Sequence, residues 1–433
     1  MQRTLIQFIK NNIGQTVQIN GWIDTIRQLK KMWFIVVRDH TGVIQVTYTN
    51  GQNEKIDALI AMLTSESTVE IIGKVVKNDY VKLKGMEIIP EEIKIINLSE
   101  PELPIDTTSS QETCMDFRFL DLRRPHNTLI FRVQSALERA MREYWYQKGF
   151  MEIHSPKLMN SPSESGAEVF RLEYYDRFAY LAQSPQFYKQ MAMAAGFDRV
   201  FEIGPVFRAN PSYTSRHETE FVGIDMEMSW IHSHEDIMVF QEQWLKYAIE
   251  TVKKELGQEI LDVLGLDLQV PTVPFPRITM REAHEMLKKL GHPLADEEDL
   301  DPEGERLLYQ HILETQNHEF VFVTLFPVPI RPFYHLRPEN DPTVTNSYDL
   351  LWKGLEVTTG AQREHRYDIL VKQVIEKGLS PESIQDYLNY FKFGCPPHGG
   401  FGTGLARIMM SLLGLKNIRE AVFLSRSPNR LAP

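Results

Sequence analysis

Residues 201–221 read FEIGPVFRANPSYTSRHETEF, and the fold is decided by how this stretch is read. Two apolar, β-branched runs, 199–208 and 219–230, flank a loop that carries Arg208, Arg216 and His217. The pattern predicts two strands joined by a cationic loop. Arginine presents planar, paired donors that suit phosphate oxygens. Phe221, where the chain returns, offers a face on which a purine can stack.

Outward toward the C-terminus, residues 354–363 read GLEVTTGAQR. Glu356 and Thr359 are three apart, so their oxygens can share one Mg²⁺, a hard cation that takes oxygen ligands. Arg363 can hold a carboxylate. Residues 394–407 read GCPPHGGFGTGLAR, with glycines at 399, 400, 402 and 404. They predict a turn whose backbone approaches a nucleotide closely, followed by the positive end of a helix. Arg407, one turn in, can reach a phosphate. The spacing is neither a P-loop nor a dinucleotide-binding fingerprint. Outward toward the N-terminus, Leu129, Ile130, Val133, Leu137, Met141, Tyr144 and Trp145 form one stripe of a helix over 127–148, and Gly149 can end it. Further helices are expected at 235–256, 280–290, 302–316, 366–378 and 381–392, and strands at 319–325 and 354–358. The acidic run 296–305 (DEEDLDPEGE) predicts a solvated loop and helix start.

Residues 1–100 read as a separate, all-β unit. Strands fit around Val17–Ile23, then at 33–39, 43–48, 68–76 and 86–96, with an amphipathic helix near 54–63. Three strands, a helix and two strands is the order of an OB-fold barrel. Residues 101–112 (PELPIDTTSSQE) read as a linker. The expected architecture is α+β: an OB-fold barrel over 1–100, a linker or hinge over 101–125, and a larger domain over 126–433.

The chain has 433 residues, 47 Lys+Arg and 58 Asp+Glu, for a net charge of −11. A protein coated in basic surface is excluded. Residues 1–100 hold 12 basic and 11 acidic residues, and the remainder 35 and 47, so the excess acid belongs to the larger domain. A composition with 42% hydrophobic residues excludes a disordered chain. No run of eighteen apolar residues occurs, the start MQRTLIQFIKNN has no secretory h-region, and Cys114 and Cys395 are the only cysteines. The expectation is a cytoplasmic protein with no membrane span and no disulfide.

Taken together, the 149–156, 201–221 and 394–407 segments resemble motifs 1, 2 and 3 of class II aminoacyl-tRNA synthetases. With the OB-fold, the chain is similar to the aspartyl, asparaginyl and lysyl group. FRFLDLRRP (117–125), YLAQSPQFYKQ (180–190), RPFYH (331–335), GLEVTTGAQR and FKFGCPPHGG (391–400) resemble the aspartyl-tRNA synthetase family of archaeal and eukaryotic type. The resemblance implies activation of L-aspartate by ATP with Mg²⁺, then transfer to the 3′ end of tRNA-Asp, or of tRNA-Asp and tRNA-Asn. The alternatives are an asparagine–tRNA ligase and a synthetase-like paralogue that activates aspartate without charging tRNA. It also implies a homodimer joined through Gly149 to Pro156.

The resemblance implies roles residue by residue. Arg208 holds the α-phosphate and the reacting carboxylate; Arg216 and Arg407 hold the β- and γ-phosphates. Phe221 stacks on adenine, with His217 and Glu218 nearby, and the backbone at Gly404, Leu405 and Ala406 cradles the nucleotide. Glu356 and Thr359 bind the metal. Lys189 and Arg363 face the substrate side-chain carboxylate, Asp225 holds Lys189, and Gln186 and Glu168 lie about the ammonium group. Phe34 stacks an anticodon base, while Gln45 and Glu87 read base edges. Lys30 and Lys31 lie in the loop before Phe34, where they can reach a phosphate. The chain departs from the family pattern where Asn210 and Ala406 each replace a glutamate, where Leu424-Ser425-Arg426-Ser427 replaces Phe-Pro-Arg-Asp, and where Ser165-Gly166 replaces paired glycines. These departures read as a divergent or duplicated copy that keeps its chemistry.

Overall fold

The computed structural model describes residues 1–83, 85–162, 168–211, 214–295 and 297–433. The Ser165-Gly166 departure lies outside the described residues. The chain divides into two compact units, Met1–Ser110 and Gln111–Pro433.

The first unit is a closed barrel in the order β1-β2-β3-β5-β4. Its strands are β1 (Thr16–Leu29), β2 (Met32–Asp39), β3 (Gly42–Thr49), β4 (Thr68–Lys77) and β5 (Met86–Asn97). Helix α1 (Glu54–Met62) lies between β3 and β4, capped by Asn53, whose side chain accepts from the Lys55 and Ile56 backbone. Ile19, Ile23, Ile35, Val37, Ile44, Val46, Ile71 and Ile88 alternate inward and are essentially unexposed. The same alternation puts Phe34 and Gln45 on the outer face. The OB-type order expected from the sequence is present.

Residues 111–121, expected within the linker, instead form two short helices, α2 (Gln111–Asp116) and α3 (Arg118–Asp121). They fold with the second unit because Arg118 is buried, paired with Asp121 at 2.6 Å and donating to the carbonyl of Val422 at 2.8 Å. Then follow α4 (Pro125–Gln147), β6 (Met151–Glu152), β7 (Leu158–Met159), β8 (Arg171–Tyr174), β9 (Arg177–Leu181), α5 (Gln186–Ala194), β10 (Arg199–Phe207), β11 (Glu220–Ser229) and α6 (His234–Leu264). The rest is β12 (Arg277–Thr279), α7 (Met280–Lys289), α8 (Pro302–Gln316), β13 (Phe320–Thr324), β14 (Ser347–Trp352), β15 (Leu355–Gln362), α9 (Tyr367–Glu376), α10 (Gln385–Lys392), β16 (His398–Gly404) and α11 (Leu405–Leu413).

Among the described residues, eight strands make one sheet in the order β12-β13-β14-β15-β16-β11-β10-β6. The central strands are antiparallel, while the outer pairs β12–β13 and β10–β6 are parallel. Helices α4 and α6 cover one face through a stack in which Trp145 lies 4.4 Å from Phe201 and 4.8 Å from Trp244, ring centre to ring centre. Helix α6 runs two turns past its expected end. Gly257 does not stop it; the left-handed Gly265, at φ +68°, does.

The glycine-rich 398–404 segment, expected as a turn, is strand β16 at the centre of the sheet. Its glycines serve close packing: a Cβ on Gly400 would lie 2.0 Å from the carbonyl oxygen of Met226 on β11.

A candidate active site on the open face of the sheet

β10, β11, β15 and β16, with the start of α11, line a cavity of about 350 Å³. The strand ends and the 208–219 loop bring together residues distant in sequence. Arg208, Asn210, Arg216, His217, Glu218 and Phe221 come from that loop and the start of β11. Glu356, Thr359 and Arg363 come from β15 and its end, and Gly404, Ala406 and Arg407 from the β16–α11 junction. Glu168, Gln186 and Asp225 complete the residues expected to line it.

Two expected residues do not line the cavity. Leu405 points into the core at 2% exposure. Lys189, expected beside Arg363 at the substrate carboxylate, is held one layer back from the cavity: its ammonium is wholly buried against β11 and β16. It pairs with Asp225 at 2.9 Å and Glu227 at 3.4 Å and reaches the carbonyls of Phe401 and Met226 at 3.2 and 3.4 Å. Four acceptors thus surround its three N–H donors. Burial raises the Asp225 carboxyl, against the pull of Lys189. Burial also opposes ionisation of Glu227, but Arg363 and Lys189 together hold it below its ordinary value.

Arg363 is nearly buried yet lines the cavity. Its Nε donates to Glu227 at 2.9 Å, and its Nη2 to the Gly400 carbonyl at 3.0 Å and to Gln186 Oε1 at 3.2 Å. Its Nη1 lies 3.1 Å from His335 Nε2. A guanidinium only donates, so that nitrogen accepts and the imidazole is neutral with its proton on Nδ1. Burial, then the Arg363 and Arg331 charges, push the His335 pKa well below the ordinary value. Glu227 and His335 were not singled out from the sequence; only the fold places them against Arg363.

At the other end, Arg208 lies 5.8 Å over the Phe221 ring. Arg407 donates to the Glu356 carbonyl at 3.0 Å and lies 3.4 Å from its carboxylate. Thr359 Oγ1 donates to Glu356 Oε1 at 3.2 Å. Burial opposes the Glu356 charge, but Arg407, Arg331 and Thr359 hold its pKa down. His217 is pushed down by burial and by Arg407. Arg216 pairs with Glu305 at 3.0 Å. The acidic 296–305 run was expected to be solvated, yet Glu305 in the first turn of α8 is buried. Burial, then the charge of Glu356, raises its pKa to about 7.

Asp349 of β14 stands opposite Thr359 in register and pairs with Arg331. Burial, and secondarily the nearby Glu356 charge, raises it to about 7. Its Oδ1 is buried without a hydrogen-bond partner. Glu356, Thr359 and this unsatisfied oxygen form a set of hard donors that fits Mg²⁺, which is commonly bound by one or two carboxylates plus substrate phosphates. Among the described residues no group of three or more His, Cys, Asp or Glu is arranged for a metal.

The departure at 424–427 has a structural counterpart. Ser425 Oγ donates to Glu218 at 2.9 Å and the Arg426 N–H at 2.8 Å, so the segment satisfies a buried carboxylate whose pKa burial raises. Nothing in the structure explains Ala406.

In the barrel, Phe34 pairs with Thr47, and Gln45 with Glu87. Glu87 accepts from Gln45 at 3.2 Å, from Thr47, and from Asn78 at 2.8 Å. Asn78 and Thr47 were missed in the sequence because neither carries charge nor sits in a motif. Cys114 and Cys395 are buried thiols outside any disulfide, and burial pushes the Cys395 thiol to about 12. No helix among the described residues is long and apolar enough to cross a membrane.

A barrel of OB type and a sheet-borne cavity with cations at both ends define a class. Residues 110–428 match the class II tRNA synthetases (D, K and N) and residues 17–96 the OB-fold nucleic acid binding domain; the chain belongs to this synthetase family and is a ligase. Within it, the chain is 43% identical to the aspartate–tRNA(Asp) ligase of Pyrococcus abyssi, covering 97% of both. It is 42% identical to the aspartate–tRNA(Asp/Asn) ligase of Aeropyrum pernix, covering 97% of this chain and 96% of that one. It is also similar to the crystal structure of asparaginyl-tRNA synthetase from Pyrococcus horikoshii complexed with asparaginyl-adenylate, at 31% identity, full coverage of both and a TM-score of 0.94. The resemblance to aspartyl-tRNA synthetases, with asparaginyl enzymes as near neighbours, is borne out.

Proposed function

We propose that the chain activates L-aspartate with ATP and transfers it to the 3′ end of tRNA-Asp. The carrying observation is Arg363, a fixed donor at one end of a cavity whose other end holds Arg208, Arg216 and Arg407.

In the first step an oxygen of the substrate α-carboxylate attacks the α-phosphorus of ATP, forming the mixed anhydride and releasing pyrophosphate. Arg208 aligns the carboxylate with the phosphate and stabilises the developing charge. Arg216 and Arg407 hold the β- and γ-phosphates, Phe221 stacks on adenine, and Glu168 and Gln186 border the ammonium group. In the second step the 3′-hydroxyl of tRNA attacks the carbonyl carbon and AMP leaves, the hydroxyl proton departing to phosphate oxygen or water. Glu356 and Thr359, with Asp349, would hold Mg²⁺, which would neutralise charge on the phosphates.

Selectivity is assigned to the Arg363 charge at the side-chain end of the cavity: aspartate brings a carboxylate charge to it, whereas asparagine brings a neutral amide whose NH₂ is one more donor. Lys189 acts by fixing Asp225 and Glu227. The outer barrel face with Phe34, Gln45 and Glu87 takes unstacked anticodon bases. A homodimer through 149–156 and a cytoplasmic location complete the reading, the latter supported by two buried cysteines kept as thiols. The Aeropyrum pernix relative, named for tRNA(Asp/Asn), favours a second reading in which tRNA-Asn is charged as well. Aminoacylation of tRNA-Asp and tRNA-Asn transcripts, each with aspartate and asparagine, tests all of this. Aspartate on tRNA-Asp is the expected product; asparagine alone on tRNA-Asn would overturn it.

A further inference from the structure

The pair between Arg216 and Glu305 has no role in the two steps above. Arg216 enters the cavity from the β10–β11 loop, with Nη1 3.0 Å from Glu305 Oε2. Glu305 does not line the cavity; it stands behind Arg216 with 11% of its side chain exposed. Its helix is fixed in place. Gly354, at the β14–β15 turn with φ +73°, lies so close that a Cβ there would be 3.0 Å from Arg306 Cα and 3.5 Å from the Glu305 carbonyl oxygen. The backbone that carries the Glu305 carboxylate is therefore held against this turn.

A triphosphate entering this end needs the guanidinium that Glu305 already holds, and brings like charge against it. Resting on the ATP-site reading, we infer that Glu305 is a positioning residue that keeps Arg216 in place in the ATP-free protein and competes with the β- and γ-phosphates for it. The effect is confined to those phosphates, because AMP lacks them and does not call on Arg216. Removing the Glu305 charge frees the arginine and lifts the repulsion.

The test is equilibrium binding of ATP and of AMP, with Mg²⁺ present, to the full chain and to Glu305→Gln, which keeps the shape of the side chain without its charge. The expected result is an ATP Kd lowered about fivefold, the scale of a partly exposed ion pair, with AMP changed less than about twofold. Glu305→Ala should move ATP in the same direction, which covers a failure of the first variant to fold. Structural damage alone would weaken both nucleotides. An ATP Kd that is unchanged or raised, or an equal shift for AMP, overturns the inference. If the unaltered chain binds no ATP, the ATP-site reading fails and this inference with it; if it binds ATP and the variants match it, only the inference fails.

Discussion

At the amino-acid end of the cavity, Lys189 and Glu227 have no exposed side-chain surface and Arg363 has 3%. At the phosphate end, Arg216 keeps 29% and Arg407 25%. Lys189, Arg363, Arg216 and Arg407 are each paired with an acid, but the pairs differ in kind. A buried pair is fixed, because separating it leaves an uncompensated charge in a poorly polarisable interior. A partly exposed pair is worth little and can be exchanged for a ligand. The end that must choose between similar side chains is therefore prebuilt, and the end that must grasp a triphosphate and release pyrophosphate holds cations it can give up.

The strongest way to break this comparison is Arg363→Gln. It leaves Glu227 with Lys189 as its one cation among the described residues and should lower stability by about 3–5 kcal/mol, read by denaturant unfolding, and abolish aspartate activation. A variant as stable as the unaltered chain would contradict the buried-network account. Next in size is acid. His398 on β16 lies 3.0 Å from Gln190, and burial lowers its pKa to about 4, against a neighbouring Glu227 that raises it. Since the folded value lies below the ordinary 6.5, the stability it contributes is complete above pH 6.5 and is lost as pH falls toward 4. Unfolding temperatures across that range should record a loss of up to about 3 kcal/mol that His398→Gln removes in part. His335 titrates in the same sense.

Phe34→Ala leaves both ends untouched and separates them from the barrel. It should raise the tRNA KM by about tenfold to a hundredfold, from a lost base stack, with aspartate-dependent pyrophosphate exchange unaltered. The smallest stability effect is expected of Arg216→Gln, under about 1 kcal/mol by unfolding, although ATP binding weakens. A stability loss there as large as for Arg363→Gln would erase the distinction between the ends.

Much of this molecule is legible in its sequence, unevenly and for physical reasons. The barrel strands follow period-two alternation closely, so the ends of β2 to β5 agree with expectation to within a residue, while β1 runs past Ile23 to Leu29. The cationic loop and β15 announce themselves by residue type. What escaped depends on partners far along the chain. β16 reads locally as a glycine turn, because its glycines answer to β11 rather than to their neighbours. β14, wholly buried, carries no alternation. Glu305 looks like one more acid in an acidic run until α8 is packed under Gly354. Lys189 reads as a cavity cation until Asp225 and Glu227 are placed around it.

The most direct measurement of the central claim is ATP–pyrophosphate exchange by the full chain with aspartate and, separately, with asparagine. The account predicts exchange that requires aspartate and prefers it over asparagine by at least about 10²-fold, the discrimination expected when an amide meets a site built of fixed donors. Exchange without amino-acid dependence, or as fast with asparagine as with aspartate, would contradict it.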